Sequence, residues 1–128
     1  MFLGLRTVIY PAPDLPAAKD WWRGVLGIDP YFDEPFFVGF SVGGYELGLD
    51  PQGRAGDPPR TYWGVPDAEA ALATLEAAGA TVSEALTDVG EEIRLAIVVA
   101  PSGWPVGVIE NPHFEAAPRP AGADGPGR

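Results

Sequence analysis

RTVIYPAPDLPAAKDWWRGVLG, the stretch from Arg6 to Gly27, predicts a strand, a turn and an amphipathic helix in direct succession. The strand covers Leu5 to Tyr10, and Asp14 can cap the following helix by accepting hydrogen bonds from its first backbone N–H groups. Gly27 is expected to end the helix in the left-handed conformation. One helix face is apolar and should pack against a sheet, since apolar residues recur at helical spacing: Leu15, Ala18, Trp22, Val25 and Leu26.

A related stretch, RTYWGVPDAEAALATLEAAG, runs from Arg60 to Gly79. Both copies open with an Arg-Thr pair and an apolar strand, continue through a Pro-Asp turn and end an Ala-rich helix at a glycine. Asp67 is the expected cap of the second helix. The apolar stripe of that helix comprises Ala68, Ala71, Leu72, Leu75 and Ala78. Repeats of this length indicate a duplicated fold.

The segments after each helix change to the period-two pattern of strands. A brief strand is expected around Tyr31 to Asp33, and Gly43-Gly44 predicts a hairpin between Phe36 to Val42 and Tyr45 to Asp50. The small residues of the two hairpin arms are expected to share one face. In the second half, strands are predicted at Thr81 to Leu86, Glu92 to Ala100 and Pro105 to Glu110. Each half is therefore β-α-β-β-β, which places the chain in the α+β class.

Length and composition indicate one domain. At 128 residues and 46% hydrophobic content, the chain can build one compact core but is too short for two. Module one is assigned to residues 4–51, residues 52–59 are the Gly- and Pro-rich linker, and module two covers residues 60–112. The domain is assigned to residues 1–114. Residues 115–128 are predicted to be a disordered tail because they cannot bury apolar surface.

Several classes of protein are disfavoured by composition. The net charge of −10, with eight scattered Lys and Arg residues, argues against nucleic-acid and membrane-surface partners. The absence of cysteine excludes disulfides, thiolate nucleophiles and thiolate metal sites. No apolar run is long enough for a transmembrane helix, and the start MFLGLRTVIY lacks the pattern of a signal peptide. A soluble cytoplasmic protein is therefore expected.

Two β-α-β-β-β modules in this order resemble the vicinal oxygen chelate superfamily, which includes glyoxalase I, the extradiol dioxygenases, fosfomycin-resistance enzymes and bleomycin-resistance proteins. The resemblance covers Leu5 to about Pro112 and depends on three motifs. These are TVIYPAPDLPAAKDWWRGVLG, the helix exit AALATLEAAGATV and the closing APSGWPVGVIENP. The resemblance implies the glyoxalase/bleomycin-resistance fold, in which two tandem modules form a curled mixed sheet around a cavity.

In metal-dependent members of that superfamily, a His, Glu or Gln from each of four strands binds a divalent ion. The resemblance places these four positions at Thr7, Gly48, Arg60 and Gly107, although aligning the two Arg-Thr pairs puts the third at Thr61. A threonine hydroxyl is a poor ligand, glycine has no side chain, and arginine is a permanent cation. No cofactor and no divalent metal are therefore expected.

Two glutamates lie close to these positions. A two-residue slip would bring Glu46 to the face of Gly48, whereas Glu110 would need an odd slip that turns its side chain to the other face. The only histidine, His113, is interpreted as a surface residue at the end of the domain.

The resemblance also implies where a ligand would bind. Aromatic walls and a glycine floor would make an open, apolar cavity, enlarged by the glycines that replace two metal ligands. The candidate ligand-binding residues are Thr7, Phe37, Gly39, Glu46, Gly48, Arg60, Tyr62, Trp63, Trp104 and Gly107.

Two functions follow from this interpretation. The favoured one is a metal-free protein that binds or sequesters a small molecule. The alternative is an enzyme of the lyase, isomerase or dioxygenase type, which uses either a displaced metal site or acid–base chemistry by Glu46 with Arg60 steadying an anion. A homodimer is also expected, because the adjacent Trp21 and Trp22 cannot both enter one core.

Overall fold

The computed structural model describes residues 1–113, which form eight strands and two helices arranged as β-α-β-β-β twice. This order confirms the predicted fold class. Three strands begin later than expected, β2 at Phe32, β3 at Phe37 and β7 at Arg94. Before β7, Glu91 and Glu92 adopt positive φ angles in the preceding turn. The predicted tail, residues 115–128, lies outside the described residues. The elements are β1 (Gly4–Pro11), α1 (Leu15–Leu26), β2 (Phe32–Glu34), β3 (Phe37–Val42), β4 (Tyr45–Asp50), β5 (Arg60–Gly64), α2 (Ala68–Ala77), β6 (Thr81–Asp88), β7 (Arg94–Val99) and β8 (Pro105–Glu110).

All eight strands belong to one mixed sheet with the order β2-β3-β4-β1-β5-β8-β7-β6. Within each module the first strand pairs in parallel with the last, β1 with β4 and β5 with β8. The modules meet where β1 pairs antiparallel with β5. Thr7 lies at the centre of this arrangement, opposite Glu46 on one side and Tyr62 on the other. The sheet curls without closing.

Both helices begin at the predicted aspartates. The Asp14 side chain accepts a hydrogen bond from the Ala17 N–H at 3.2 Å, and Asp67 accepts from two backbone N–H groups of the first turn of α2. Gly27 ends α1 in the left-handed conformation with φ 72°. Neither helix in residues 1–113 has the length and hydropathy needed to cross a bilayer.

The helices cover one face of the sheet and divide the core into two clusters. Under α1, the buried residues are Ala12, Leu15, Val38, Phe40 and Leu49, with Trp22 packed against them. Under α2, they are Val65, Ala68, Ala71, Ala96 and Val108. Two residues of the predicted stripes are instead exposed: Val25 is 58% exposed, and Ala78 lies at the C-terminal cap of α2. Because alternate strand residues point away from the helices, the opposite face of the sheet carries the candidate site.

Candidate functional site

The sheet face opposite the helices lines a cavity of about 750 Å³ between the two modules. Six of its lining residues are aromatic, namely Tyr31, Phe32, Phe36, Phe37, Tyr45 and Tyr62. Five are aliphatic, namely Ile9, Val89, Ile93, Leu95 and Ile109. The remaining side chains are polar or charged, namely Arg6, Thr7, Ser41, Glu46, Glu91 and Asn111. A mainly apolar wall with a few polar groups is typical of a small-molecule site.

Glu46 is held on this wall by two hydroxyl donors. Thr7 is 5% exposed, and its Oγ1 donates to Glu46 Oε1 at 3.1 Å, since the two residues face each other on β1 and β4. The Tyr31 hydroxyl donates to Glu46 Oε2. Gly39 makes this second contact possible, because a Cβ atom there would lie 3.0 Å from both Glu46 Oε2 and the Tyr31 ring. The carboxylate is therefore fixed in position before any ligand binds.

Two tyrosines of the cavity have raised pKa values. Burial is the main reason that the pKa of Tyr31 rises, and the hydrogen bond to Glu46 and the charge of Glu46 add to the effect. Burial also raises the pKa of Tyr62, while the neighbouring charge of Arg60 acts in the opposite direction. Both phenols therefore stay protonated at neutral pH, and Tyr31 remains a hydrogen-bond donor to Glu46.

Arg6 and its neighbour Thr7 both line the cavity. Strand alternation predicts instead that their side chains point to opposite faces of the sheet. A register shift between Leu5 and Thr7 in the β1–β5 pairing disrupts the alternation. The Arg6 side chain then lies across Gly64, where an added Cβ atom would be 2.5 Å from the Arg6 Nε. Sequence reasoning missed Arg6 because a bulge of this kind has no clear pattern in the sequence.

Two of the four positions that the resemblance assigns to metal ligands are glycines covered by neighbouring groups, Gly48 and Gly107. The Phe37 ring occupies the place of a side chain at Gly48. At Gly107, an added Cβ atom would lie 2.5 Å from both the Thr61 carbonyl oxygen and the Tyr62 ring. The expectation that these glycines enlarge the cavity is therefore wrong, since aromatic rings fill the space.

Arg60, at the third assigned position, and Glu110, near the fourth, both pair with other residues. The Arg60 guanidinium pairs with Asp50 at 2.8 Å. Glu110 lies on the helix face, where its Oε1 accepts from the backbone N–H of Ala68 at 2.9 Å. In the part of the chain that the structure describes, three His, Cys, Asp or Glu side chains never come together as a possible metal site.

The structure brings only part of the predicted set to the cavity. Thr7, Phe37, Glu46 and Tyr62 line it, and Gly39, Gly48 and Gly107 lie beneath their rings or carboxylate. Three of the candidates do not line it: Arg60, Trp63 and Trp104.

Strand geometry explains why the two tryptophans lie elsewhere. Trp63 alternates with Tyr62 and packs on Phe2, with ring centroids 5.3 Å apart. Trp104 is 70% exposed in the turn before β8. The exposed His113 contacts the β6–β7 turn, with its Nε2 2.8 Å from the carbonyl oxygen of Glu91.

Comparison with known proteins agrees with this architecture. A solved methylmalonyl-CoA epimerase variant from Streptomyces coelicolor, in complex with 2-nitronate-propionyl-CoA, is 15% identical, with a TM-score of 0.73 over 91% of this chain and 99% of that one. A member of the glyoxalase/bleomycin resistance protein/dioxygenase superfamily from Vibrio splendidus 12B01 is 19% identical, with a TM-score of 0.66 over 83% of this chain and 97% of that one. The Mn(II)-bound glyoxalase from Novosphingobium aromaticivorans is 20% identical, with a TM-score of 0.68 over 94% of this chain but 43% of that one.

At these identities the solved structures show a shared fold. No curated protein matches the sequence significantly. The family model of the Glyoxalase/Bleomycin resistance protein/Dioxygenase superfamily matches residues 4–108, which is most of the chain. The protein therefore belongs to the glyoxalase/bleomycin resistance protein/dioxygenase superfamily.

Proposed function

We propose that this protein binds a small, mainly apolar organic molecule in the cavity between its modules and needs no divalent metal to do so. The observation that carries the proposal is the pairing of an aromatic wall with a carboxylate, Glu46, already fixed by Thr7 and Tyr31. Such a site fixes the orientation of a ligand through one polar contact and takes its affinity from apolar burial. The volume of about 750 Å³ is within the range of drug-sized ligand sites.

Two aromatic rings of the cavity support binding without a metal. The Phe37 and Tyr62 rings occupy the space over two of the four positions where metal-dependent relatives carry ligands. Restoring a His or Glu at Gly48 or Gly107 would require these rings to move. Purified protein is therefore expected to contain no stoichiometric zinc, nickel, manganese or iron by elemental analysis, and one equivalent per chain would contradict the proposal.

A thermal-shift screen of small aromatic compounds in the presence of EDTA tests the binding function. Hits are expected to bind with a stoichiometry of one per chain by isothermal titration calorimetry. Ser41→Trp should weaken this binding, because Ser41 lines the cavity and a tryptophan side chain there would occupy part of it. Ser102→Trp, at an exposed turn away from the cavity, is the matched control. A library without hits, or hits that need added metal, would refute the function.

A second candidate function is proton transfer without a metal, and the environment of Glu46 favours it. A carboxylate inside an aromatic cavity can take a proton from a carbon next to a carbonyl, leaving an enolate whose oxygen needs a positive partner. Arg6, rather than Arg60, is the arginine that lines the cavity.

Exchange of the α-proton of methylmalonyl-CoA in D2O, followed by NMR, tests this second function with a compound that a structural neighbour acts on. Exchange that is faster with wild-type protein than with Glu46→Gln would support proton transfer. A wild-type rate equal to that of buffer alone would exclude it for this thioester and leave binding as the function.

A further inference from the structure

The aromatic wall of the cavity forms a corner. The rings of Phe32 and Phe36 lie 5.8 Å apart at an interplanar angle of 65°, and those of Phe32 and Phe37 lie 6.2 Å apart at 57°. A flat ligand stacks best between parallel rings, whereas rings at large angles surround a compact, rounded group. Each ring face carries partial negative charge, so a rounded group with positive charge is attracted to any ring face that it contacts.

The charged side chains of the cavity add to this preference. Among the described lining residues, two are carboxylates, Glu46 and Glu91, and one is a cation, Arg6. Glu46 is fixed by two hydroxyl donors, as described above. Glu91 belongs to a β6–β7 turn that is held by a 2.9 Å hydrogen bond from the Val89 N–H to the Ile93 carbonyl oxygen and by the contact of its own carbonyl with His113. The wall of each module thus carries an acidic residue, and Glu46 is the one whose carboxylate is held by hydrogen bonds.

Arg6 is the lining residue whose positive charge would favour an anionic ligand instead. Its guanidinium lies across Gly64, near the strand pair that joins the modules, whereas the aromatic corner belongs to β2, β3 and the turn between them at one end of the sheet. The chain as a whole carries a net charge of −10, which raises the local concentration of cations and repels anions. The corner and its acids are therefore expected to dominate ligand choice.

From this arrangement we infer that the natural ligand is a compact organic cation, such as a quaternary ammonium or a protonated amine on an apolar skeleton. The inference rests on the proposed binding function and specifies the chemical class of its ligand. The cation would sit against Phe32, Phe36 and Phe37 with Glu46 as its counter-charge, and the apolar skeleton would lie along the aliphatic wall of module two.

Three phenols of nearly the same shape test the inference. They are para-(trimethylammonio)phenol, para-tert-butylphenol and para-phenolsulfonate, which carry a positive, a neutral and a negative group at the same position. Titration calorimetry in EDTA should show the cation binding at least about tenfold more tightly than its neutral isostere, the ratio given by one well-formed cation–ring contact with a nearby charge. The sulfonate should bind more weakly than either.

Two variants test whether the charge of Glu46 causes the preference for the cationic phenol. Glu46→Gln should remove most of the preference for the cation while leaving the affinity for para-tert-butylphenol within about twofold, because the amide keeps the shape but loses the charge. Glu76→Gln removes the same charge at an exposed site on α2, and the preference should persist. Thermal melting of both variants confirms that they are folded.

The remaining outcomes separate the binding function from the ligand class and from the assigned site. If the neutral or anionic phenol binds as tightly as the cation, the binding function stands and the inference about ligand class is wrong. If Glu76→Gln reduces the preference as much as Glu46→Gln, the general field of the protein is responsible and the assigned site is wrong. Failure of all three phenols to bind overturns the inference, and the library screen then decides the proposed function separately.

Discussion

Glu46 is the residue on which the polarity of the cavity depends. Its position follows from the pairing of β4 with β1, which sets it opposite Thr7, and from Gly39, which leaves room for the Tyr31 ring. Neither partner is adjacent in sequence, and each satisfies one carboxylate oxygen. A partly buried acceptor that is already paired costs less to desolvate, so Glu46 can remain on an apolar wall.

Gly48 and Gly107 are both buried, but an added side chain would meet a different obstacle at each. Gly107→Ala should reduce the free energy of unfolding by about 2 to 3 kcal/mol, because its Cβ would press on the Thr61 carbonyl oxygen, which is fixed in the sheet. Gly48→Ala should cost only about 1 kcal/mol, since the obstacle is the tip of the Phe37 ring, which can turn into the cavity. Urea denaturation measures both values.

Gly24→Ala is the control for this comparison. Gly24 lies in α1, and a Cβ atom there would meet nothing within 4 Å. The substitution should therefore leave stability unchanged or raise it by up to about 1 kcal/mol through helix propensity. Equal losses for Gly48→Ala and Gly107→Ala would show that the two glycines are not constrained as described.

At the scale of elements, α2 is attached to the sheet through its first turn. Glu110 Oε1, on β8, accepts from the Ala68 N–H at 2.9 Å and from Arg94 Nη2, on β7, at 2.6 Å. The hydrogen bond from Arg94 is the main reason that the pKa of Glu110 is lowered, and the backbone N–H of Ala68 adds to it. One carboxylate thus joins a helix N-terminus to two strands.

This attachment predicts a pH dependence. Because the pKa of Glu110 is lowered on folding, its contribution to stability is present above its ordinary pKa of 4.5 and is lost as the pH falls through the lower, folded value. Glu110→Gln should therefore be less stable than wild type at neutral pH, and the difference should shrink below about pH 4.5.

Urea denaturation at a series of pH values measures the effect of this substitution. Glu76→Gln, at the exposed far end of the same helix, should follow the wild-type curve. A constant difference between wild type and Glu110→Gln from neutral to acid pH would mean that the charge of Glu110 does not stabilise the attachment.

At the scale of the whole molecule, each module has its own core under its helix, and the cavity forms where the two modules face each other. Residues of both modules line it, so one module alone could not enclose a ligand. A stripe of apolar residues remains outside, on and after α1: Trp21 is 61% exposed, Val25 58% and Ile28 41%. The spacing of Trp21 and Val25 places these two residues on one side of the helix, and Ile28 follows its end.

We predict that this stripe pairs with a second copy of the chain about a twofold axis, since one self-complementary apolar patch is enough for such a contact. Light scattering should give the mass of a dimer for wild type at micromolar concentration and that of a monomer for Trp21→Glu. Trp104→Glu, at a turn where the tryptophan is also exposed, should remain dimeric. A monomeric wild type would contradict the prediction.

The sequence by itself determined the elements and their order. Asp14, Asp67 and Gly27 set helix ends through local hydrogen bonds and backbone conformation. These features depend on neighbours a few residues away, so they can be read along the chain. The split between Trp21 and Trp22 was predictable in the same way, although which of the two is buried was not.

The tertiary structure alone decided the character of the site. The Glu46–Tyr31 hydrogen bond, the turn of Arg6 into the cavity and the rings over Gly48 and Gly107 all depend on how strands from distant parts of the chain pair and bulge. A strand register sets which side chains share a face, and a single shift reverses that assignment for the residues beyond it. The resemblance to the superfamily therefore predicted a cavity, whereas only the packed sheet determined which groups enter it and what space remains.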